Sequence, residues 1–272
     1  MNIQYVKCML NNSNQRYFIE NGCEDRCLST IKLIRSTIDK FKIRKQIEFI
    51  VNVDDSPYDI GSAKTFKYST TTQNFNETFP DFNYDCYRHV GYKDYEDVRS
   101  LINKIDVTPE TNKIGWIGAG TDSITTRKIL YKLGQSNTDT LDIRSNIWDR
   151  INTDCIIGGQ YLNYEEQIKK WKYLIDVEGV GYSGRLKYLL SSKRIVFIVS
   201  RPWYEWFYRY LKPWENFIPV KRDLSDLLIN YERIEKDKEL QKYIIHNQRK
   251  LDNICLSRDS ALVEINRLIQ TI

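Results

Sequence analysis

Leu28, Ile31, Leu33, Ile34, Ile38 and Phe41 recur at helical spacing and predict a helix over residues 25–41. The run Gln46-Ile47-Glu48-Phe49-Ile50-Val51-Asn52-Val53 predicts a buried strand, ended by Asp54-Asp55-Ser56-Pro57. A second strand is expected over 64–69, and residues 75–94, rich in Asn, Asp and aromatics and containing Pro80, read as a long connection. A helix is expected over 95–105, followed by an inter-lobe linker at 107–112. The second half repeats one pattern. Strand 113–117 leads through Gly118-Ala119-Gly120-Thr121 into a helix over 127–133. Strand 171–177 leads through a glycine-bearing turn into a helix over 184–190, and strand 195–199 leads into an aromatic helix over 203–211. A short last strand at 217–220 precedes a largely helical stretch, 224–272. Alternating strands and helices imply an α/β fold with a mainly parallel, doubly wound sheet.

The chain has 272 residues, 41% hydrophobic and 13% aromatic, enough for one large domain or two compact lobes. Nothing approaches the roughly 20 consecutive apolar residues of a membrane span. Lys plus Arg number 41 against 36 Asp plus Glu, and the net +5 suits an anionic small molecule better than a nucleic acid. The opening residues turn polar at Asn11, without the pattern of a secretory leader, so a cytoplasmic protein is expected. Cys8, Cys23, Cys27, Cys86, Cys155 and Cys255 are then expected as free thiols. Cys23 and Cys27 have zinc-compatible spacing but no second pair, with His89 and His246 far off, so no metal site is expected. The acceptor patterns at Asn11-Asn12-Ser13 and Asn76-Glu77-Thr78 are chance in a cytoplasmic chain.

The segment 173–188 carries the most chemistry. A strand feeding Gly179-Val180-Gly181-Tyr182-Ser183-Gly184 and then a helix offers backbone N–H groups to a phosphate, and Arg185 in the first helical turn can add bidentate bonds. An ordinary strand-to-helix turn with a surface arginine explains the same residues equally well. Gly118-Ala119-Gly120-Thr121 matches neither a Walker loop nor, with Ser123 at the third glycine, a dinucleotide fingerprint. Two such turns on parallel strands would nevertheless open at the same carboxyl edge. Asp54 and Asp55 fit a general base at a strand end, but turn chemistry before Pro57 is the simpler reading of those residues alone. Adjacent carboxylates are a poor metal pair. The aromatic run 203–214 could stack a base or sugar and is better read as core, and 236–250 as a solvated helix face.

Taken together, residues 172–225 resemble glycosyltransferase family 90, the capsule-associated and protein O-glucosyltransferase-like enzymes. The resemblance is carried by Tyr173-Leu174, Gly179 through Ser183 to Arg185, Glu205-Trp206-Phe207-Tyr208, Leu211-Lys212-Pro213-Trp214, Ile218-Pro219-Val220 and Asp223-Leu224-Ser225, in that order. It continues more weakly through 51–57, 66–69 and 116–121. The resemblance implies a GT-B-type fold of two Rossmann-like lobes with mainly parallel sheets and an interlobe cleft. It implies an acceptor-side lobe over 1–110, a nucleotide-sugar lobe over 111–250, and a C-terminal helix over 251–272 that can pack back on the first lobe.

The family transfers xylose or glucose from a UDP donor, with inversion and without a catalytic metal. Its base lies in an Asn-Val-x-Asp-x-Pro context, which falls on Asp55 of Asn52-Val53-Asp54-Asp55-Ser56-Pro57. Its diphosphate serine and arginine fall on Ser183 and Arg185, and the donor set implied here is Gly118, Thr121, Gly181, Tyr182, Ser183 and Arg185. Family members often carry an arginine where this chain has Ile117, so that contact is absent or supplied elsewhere, with Arg127 a candidate. The acceptor is expected to be a glycan or protein hydroxyl. One hydroxymethyl group separates the two donors, and the sequence leaves that choice open. The rival expectation is a catalytically silent glycan- or nucleotide-binding module or scaffold. The abundance of Ile, Asn, Lys and Tyr suits an AT-rich genome, a microbe's or a large DNA virus's.

Overall fold

The computed structural model describes residues 4–11, 15–55, 64–86, 94–118, 125–145 and 162–272. By contacts the chain divides into two compact units, Met1–Val98 with Pro202–Tyr210 and Ile254–Ile272, and Arg99–Arg201 with Leu211–Asn253. The expectation drew its first boundary at 110, whereas this division falls inside a helix and moves the Pro202–Tyr210 segment into the first unit.

In the first unit, strands β1 (Tyr5–Leu10) and β2 (Arg16–Asn21) form a hairpin, followed by helix α1 (Glu24–Phe41) and strands β3 (Ile47–Asn52) and β4 (Thr65–Lys67). The sheet order is β2-β1-β3-β4. Strand β1 runs antiparallel to both neighbours and only β3 and β4 are parallel, so the mainly parallel sheet expected here is corrected to a mixed one. The reason is the short link after Leu10: a connection that brief can join only antiparallel neighbours. Asn11 closes it, donating its N–H to the Gln15 carbonyl and accepting the Gln15 N–H on its side chain. Strand β1 buries Val6, Cys8 and Leu10 on one face, while β2 is an exposed edge. Lys42 ends α1 in the left-handed conformation at φ 53°, its N–H returning to the Ile38 carbonyl.

The aromatic run that was expected to be a helix over 203–211 is a short 3-10 turn, Trp206–Tyr210. Tyr204 is extended instead and exchanges both backbone hydrogen bonds with Thr70, at 3.0 and 2.9 Å, which a helix would forbid. Trp206 and Phe207 are buried, as the core reading requires.

Helix α2 (Tyr95–Lys104) spans the division. The second unit then runs through β5 (Thr111–Gly118), α3 (Thr125–Ser136), β6 (Leu141–Ser145), α4 (Tyr164–Lys170), β7 (Trp171–Asp176), α5 (Leu186–Leu190), β8 (Ile195–Val199), β9 (Ile218–Val220), α6 (Leu227–Lys236) and α7 (Lys238–Leu251). Its sheet, β6-β5-β7-β8-β9, is parallel throughout, as expected. Strand β8 is buried at every residue, the mark of a strand covered on both faces. Gly115 on β5 makes room for the Trp171 ring: a Cβ there would lie 1.7 Å from Trp171 Cδ2.

Helix α8 (Arg258–Gln270) belongs to the first unit, where it packs against α1 and buries Leu262, Ile265 and Ile269.

Candidate active site

The strand order of the second unit places β6 on one side of β5 and β7 on the other, so the chain reverses its winding between β5 and β7. In open α/β sheets that reversal leaves a crevice at the carboxyl ends of the two strands. Here those ends are Gly118 and Asp176.

Around Gly118 the structure gathers residues that were read separately. Arg185 donates to the Ile117 carbonyl and lies over the Trp116 ring, its guanidinium carbon 5.2 Å from the centroid. A Cβ on Gly118 would lie 2.6 Å from Arg185 Nη2, so the missing side chain is what admits the guanidinium. Arg127 also stands over Trp116, at 5.5 Å, and its Nε donates to the Glu178 carbonyl at 3.1 Å. Both arginines thus stand over the ring of Trp116, the residue before Ile117.

The turn after β7 is held from beneath. Ser183 donates its hydroxyl to Asp176 Oδ1 at 2.6 Å, and Asp176 Oδ2 pairs with Arg201 Nη1 at 2.7 Å. Arg201 also donates to the carbonyls of Asp176 and Val199. Both side chains of the pair are almost wholly buried, at 2% and 0% exposure. The Ser183 hydroxyl proton is therefore engaged inward, which leaves its backbone N–H as the group suited to an anion. Gly181, Tyr182 and Ser183 are buried and Arg185 is partly exposed. Arg185 is the N-cap of the five-residue helix α5 rather than a member of its first turn, and a helix this short adds little dipole. The groups here suited to an anion are therefore turn amides and guanidinium groups rather than a helix end. Thr121 lies outside the described residues.

Asp55 sits in the first unit, just past the end of β3. Its backbone N–H donates to Asp54 Oδ1 at 2.6 Å, and the Asp54 N–H donates to the buried Asn52 side chain at 2.8 Å. Arg26, on α1, holds the Asp55 carboxylate with Nη1 3.0 Å from Oδ1 and Nη2 3.4 Å from Oδ2. The same guanidinium donates to the Val53 carbonyl and lies over the Phe82 ring. The Asp55 side chain remains 37% exposed.

Sequence reasoning missed Arg26, Trp116, Glu178 and the Asp176–Arg201 pair. The signal for the last two was an acid at each end of Asp176-Val177-Glu178, astride the strand terminus. Burial pushes the Cys8 thiol up to about 12 and the Cys27 thiol up to about 11, so neither offers a thiolate at neutral pH. Among the described residues no group of three or more His, Cys, Asp or Glu is arranged to hold a metal ion.

The second unit is thus a doubly wound parallel α/β unit with Arg185 and Arg127 beside the carboxyl end of β5. The chain belongs to glycosyl transferase family 90, whose sequence profile matches residues 7–251. It is 32% identical over 161 residues to protein O-glucosyltransferase 2 of Danio rerio, covering 58% of this chain and 32% of that protein. It is 36% identical over 107 residues to protein O-glucosyltransferase 1 of Rattus norvegicus, covering 37% of this chain and 27% of that protein. The chain therefore spans about a third or less of the length of these curated relatives. Among solved structures, TarM aligns with a TM-score of 0.46 and 11% identity over 94% of this chain and 59% of that one, a likeness too distant to carry any argument.

Proposed function

We propose that this chain transfers a glucosyl or xylosyl group from a UDP-sugar to a hydroxyl of a glycan or protein acceptor, by a single inverting displacement that needs no metal. Membership of family 90 supports sugar transfer, and the names of the relatives make UDP-glucose the first donor to test. The observation that carries the donor reading is the meeting of Arg185, Trp116 and Gly118 at the β5–β7 switch point.

In the proposed reaction Asp55 accepts the proton of the acceptor hydroxyl as that oxygen attacks the anomeric carbon. The bond from that carbon to the UDP oxygen breaks on the opposite face, which inverts the centre. A base in this role contributes about 10² to 10⁴ in rate. The negative charge gathering on the departing diphosphate is assigned to Arg185 and the amides of Gly181, Tyr182 and Ser183, with Arg127 standing in for the arginine lacking at Ile117. Gly118 and Thr121 complete the proposed donor set. A reducing, cytoplasmic setting belongs to the same proposal, supported by the free thiols of Cys8, Cys23, Cys27, Cys86 and Cys255.

A second reading, a catalytically silent nucleotide or glycan binder, draws on one observation: both oxygens of Asp55 face Arg26. Transfer from UDP-glucose and UDP-xylose, assayed with and without EDTA beside calorimetric titration of UDP, separates the two. The enzyme reading expects EDTA-insensitive turnover, an Asp55→Asn protein that binds UDP without turnover, and an Arg185→Ala protein with weakened UDP binding. Full activity of Asp55→Asn removes Asp55 as the base. UDP binding without any turnover of either donor favours the silent binder.

A further inference from the structure

We propose that Glu178 reads the ribose of the nucleotide, its Oε2 accepting a hydrogen bond from a ribose hydroxyl; this rests on the UDP reading above.

Glu178 follows β7 by two residues and immediately precedes Gly179, so it stands at the carboxyl edge beside the switch point. It is 5% exposed. Its Oε1 accepts from Thr126 at 3.4 Å and pairs with Arg222 at 2.8 Å. Its Oε2 is buried with no hydrogen-bond partner among the described residues. An ionised carboxylate is acceptor-only, and leaving one of its oxygens dry and unpaired works against folding. A buried acid with half its capacity unused is better explained by a ligand that supplies the missing donor than by a structural role.

The chemistry of that donor is narrow. Phosphate oxygens and a second carboxylate are excluded, because they accept and repel. The N3–H of uracil is flanked by two carbonyl oxygens that a carboxylate would also face. A sugar hydroxyl donates a single proton without that penalty, and ribose is the part of UDP joined directly to the diphosphate that the neighbouring turn is proposed to hold. The carboxylate is set in place for this. Arg127 fixes the Glu178 carbonyl, and Thr126 steadies Oε1 from the start of α3. Arg222, whose side chain is 59% exposed, pairs with Oε1 and so leaves Oε2 to the ligand.

An acid here also has a cost for binding that a purely electrostatic phosphate site would avoid. Its charge opposes the diphosphate, so its presence is accounted for by a contact to an uncharged part of the ligand.

Titration calorimetry of the full chain with UDP, 2′-deoxy-UDP and 3′-deoxy-UDP tests this. One deoxy analogue should bind about tenfold or more weakly than UDP, the worth of one hydrogen bond to a charged group. In Glu178→Gln, UDP itself should weaken and the gap to that analogue should close to within about threefold. Glu178→Asp, which keeps the charge but withdraws the oxygen by one methylene, should show the same closing and serves if the Gln variant does not fold. Equal affinity of the natural chain for all three ligands overturns the inference while leaving the UDP reading intact. A gap that survives unchanged in a folded variant also overturns it. Failure of the natural chain to bind UDP at all overturns the donor reading, and this inference with it.

Discussion

Arg26 and Asp55 lie 29 positions apart in sequence and meet through two nitrogen–oxygen contacts, 3.0 Å and 3.4 Å. The guanidinium also anchors on the Val53 carbonyl and the Phe82 ring, so it fixes the direction in which the carboxylate points. Replacing it with a side chain of similar length and no charge, Arg26→Met, frees Asp55 to rotate. Turnover should fall, by up to about 10²-fold for a misplaced reacting group, while the UDP dissociation constant stays unchanged. Rate measurements at saturating donor beside UDP titrations check this. An equal loss of UDP affinity would assign Arg26 another role.

Gly118→Ala should act through Arg185. The added Cβ would sit 2.6 Å from Arg185 Nη2, the far end of a flexible side chain that can retreat, and also 2.6 Å from Cζ2 of the buried Trp116 ring, which must shift to admit it. UDP affinity should drop toward that of Arg185→Ala, and the melting temperature should fall as well, because the Trp116 ring is displaced. Combining the two substitutions should cost no more UDP affinity than Arg185→Ala alone, because both remove one interaction.

Gly115→Ala should act on stability rather than through Arg185. Its Cβ would fall 1.7 Å from Trp171 Cδ2, on a fully buried ring whose Nε1 donates to Asp142 Oδ2 at 2.8 Å. Overpacking against a buried ring costs about 1 to 3 kcal/mol, occasionally more. Denaturant midpoints should show the loss, with expression of folded protein reduced.

Asp142 should give the second unit an acid-sensitive component. Burial alone would raise its carboxyl above the ordinary 3.8, but hydrogen bonds from Arg144 and Trp171, together with the charge of Arg144, outweigh burial and hold it below that value. A carboxylate held below its unfolded value stabilises the fold at any pH above that value. The contribution is lost as pH falls toward the native value. Urea midpoints measured from pH 7 to pH 3 should therefore fall less steeply in Asp142→Asn than in the natural chain. Asp142→Asn should also be the less stable of the two at pH 7.

Much of the second unit was legible because its strands are runs of branched apolar residues punctuated by glycine turns. Ile195-Val196-Phe197-Ile198-Val199 can hardly be anything but a strand covered on both faces. Strand β6 was missed, since Leu141-Asp142-Ile143-Arg144 alternates apolar and charged residues over too short a stretch to stand out. The β1–β2 hairpin was missed for a similar reason, although the alternation of Val6, Cys8 and Leu10 before the Asn-rich link was present to be read. The 3-10 turn at Trp206–Tyr210 was hidden by tertiary pairing, because Tyr204 is drawn out to bond Thr70, a residue far away in the chain.

The sequence by itself determined the alternation of strands and helices in the second unit, the glycine-bearing turn after β7, and the family to which the motifs belong. Those features are local: periodicity reports which face of an element is apolar, and glycine reports where the backbone must turn or be approached. Only the tertiary structure decided that the Arg185 fork falls over Trp116 beside Gly118, that Asp176 takes the Ser183 hydroxyl, and that Arg26 grips Asp55. Such partnerships depend on strand order and on the register between packed elements. Two side chains meet because separate segments are brought within a few ångströms, and no spacing along the chain encodes that distance.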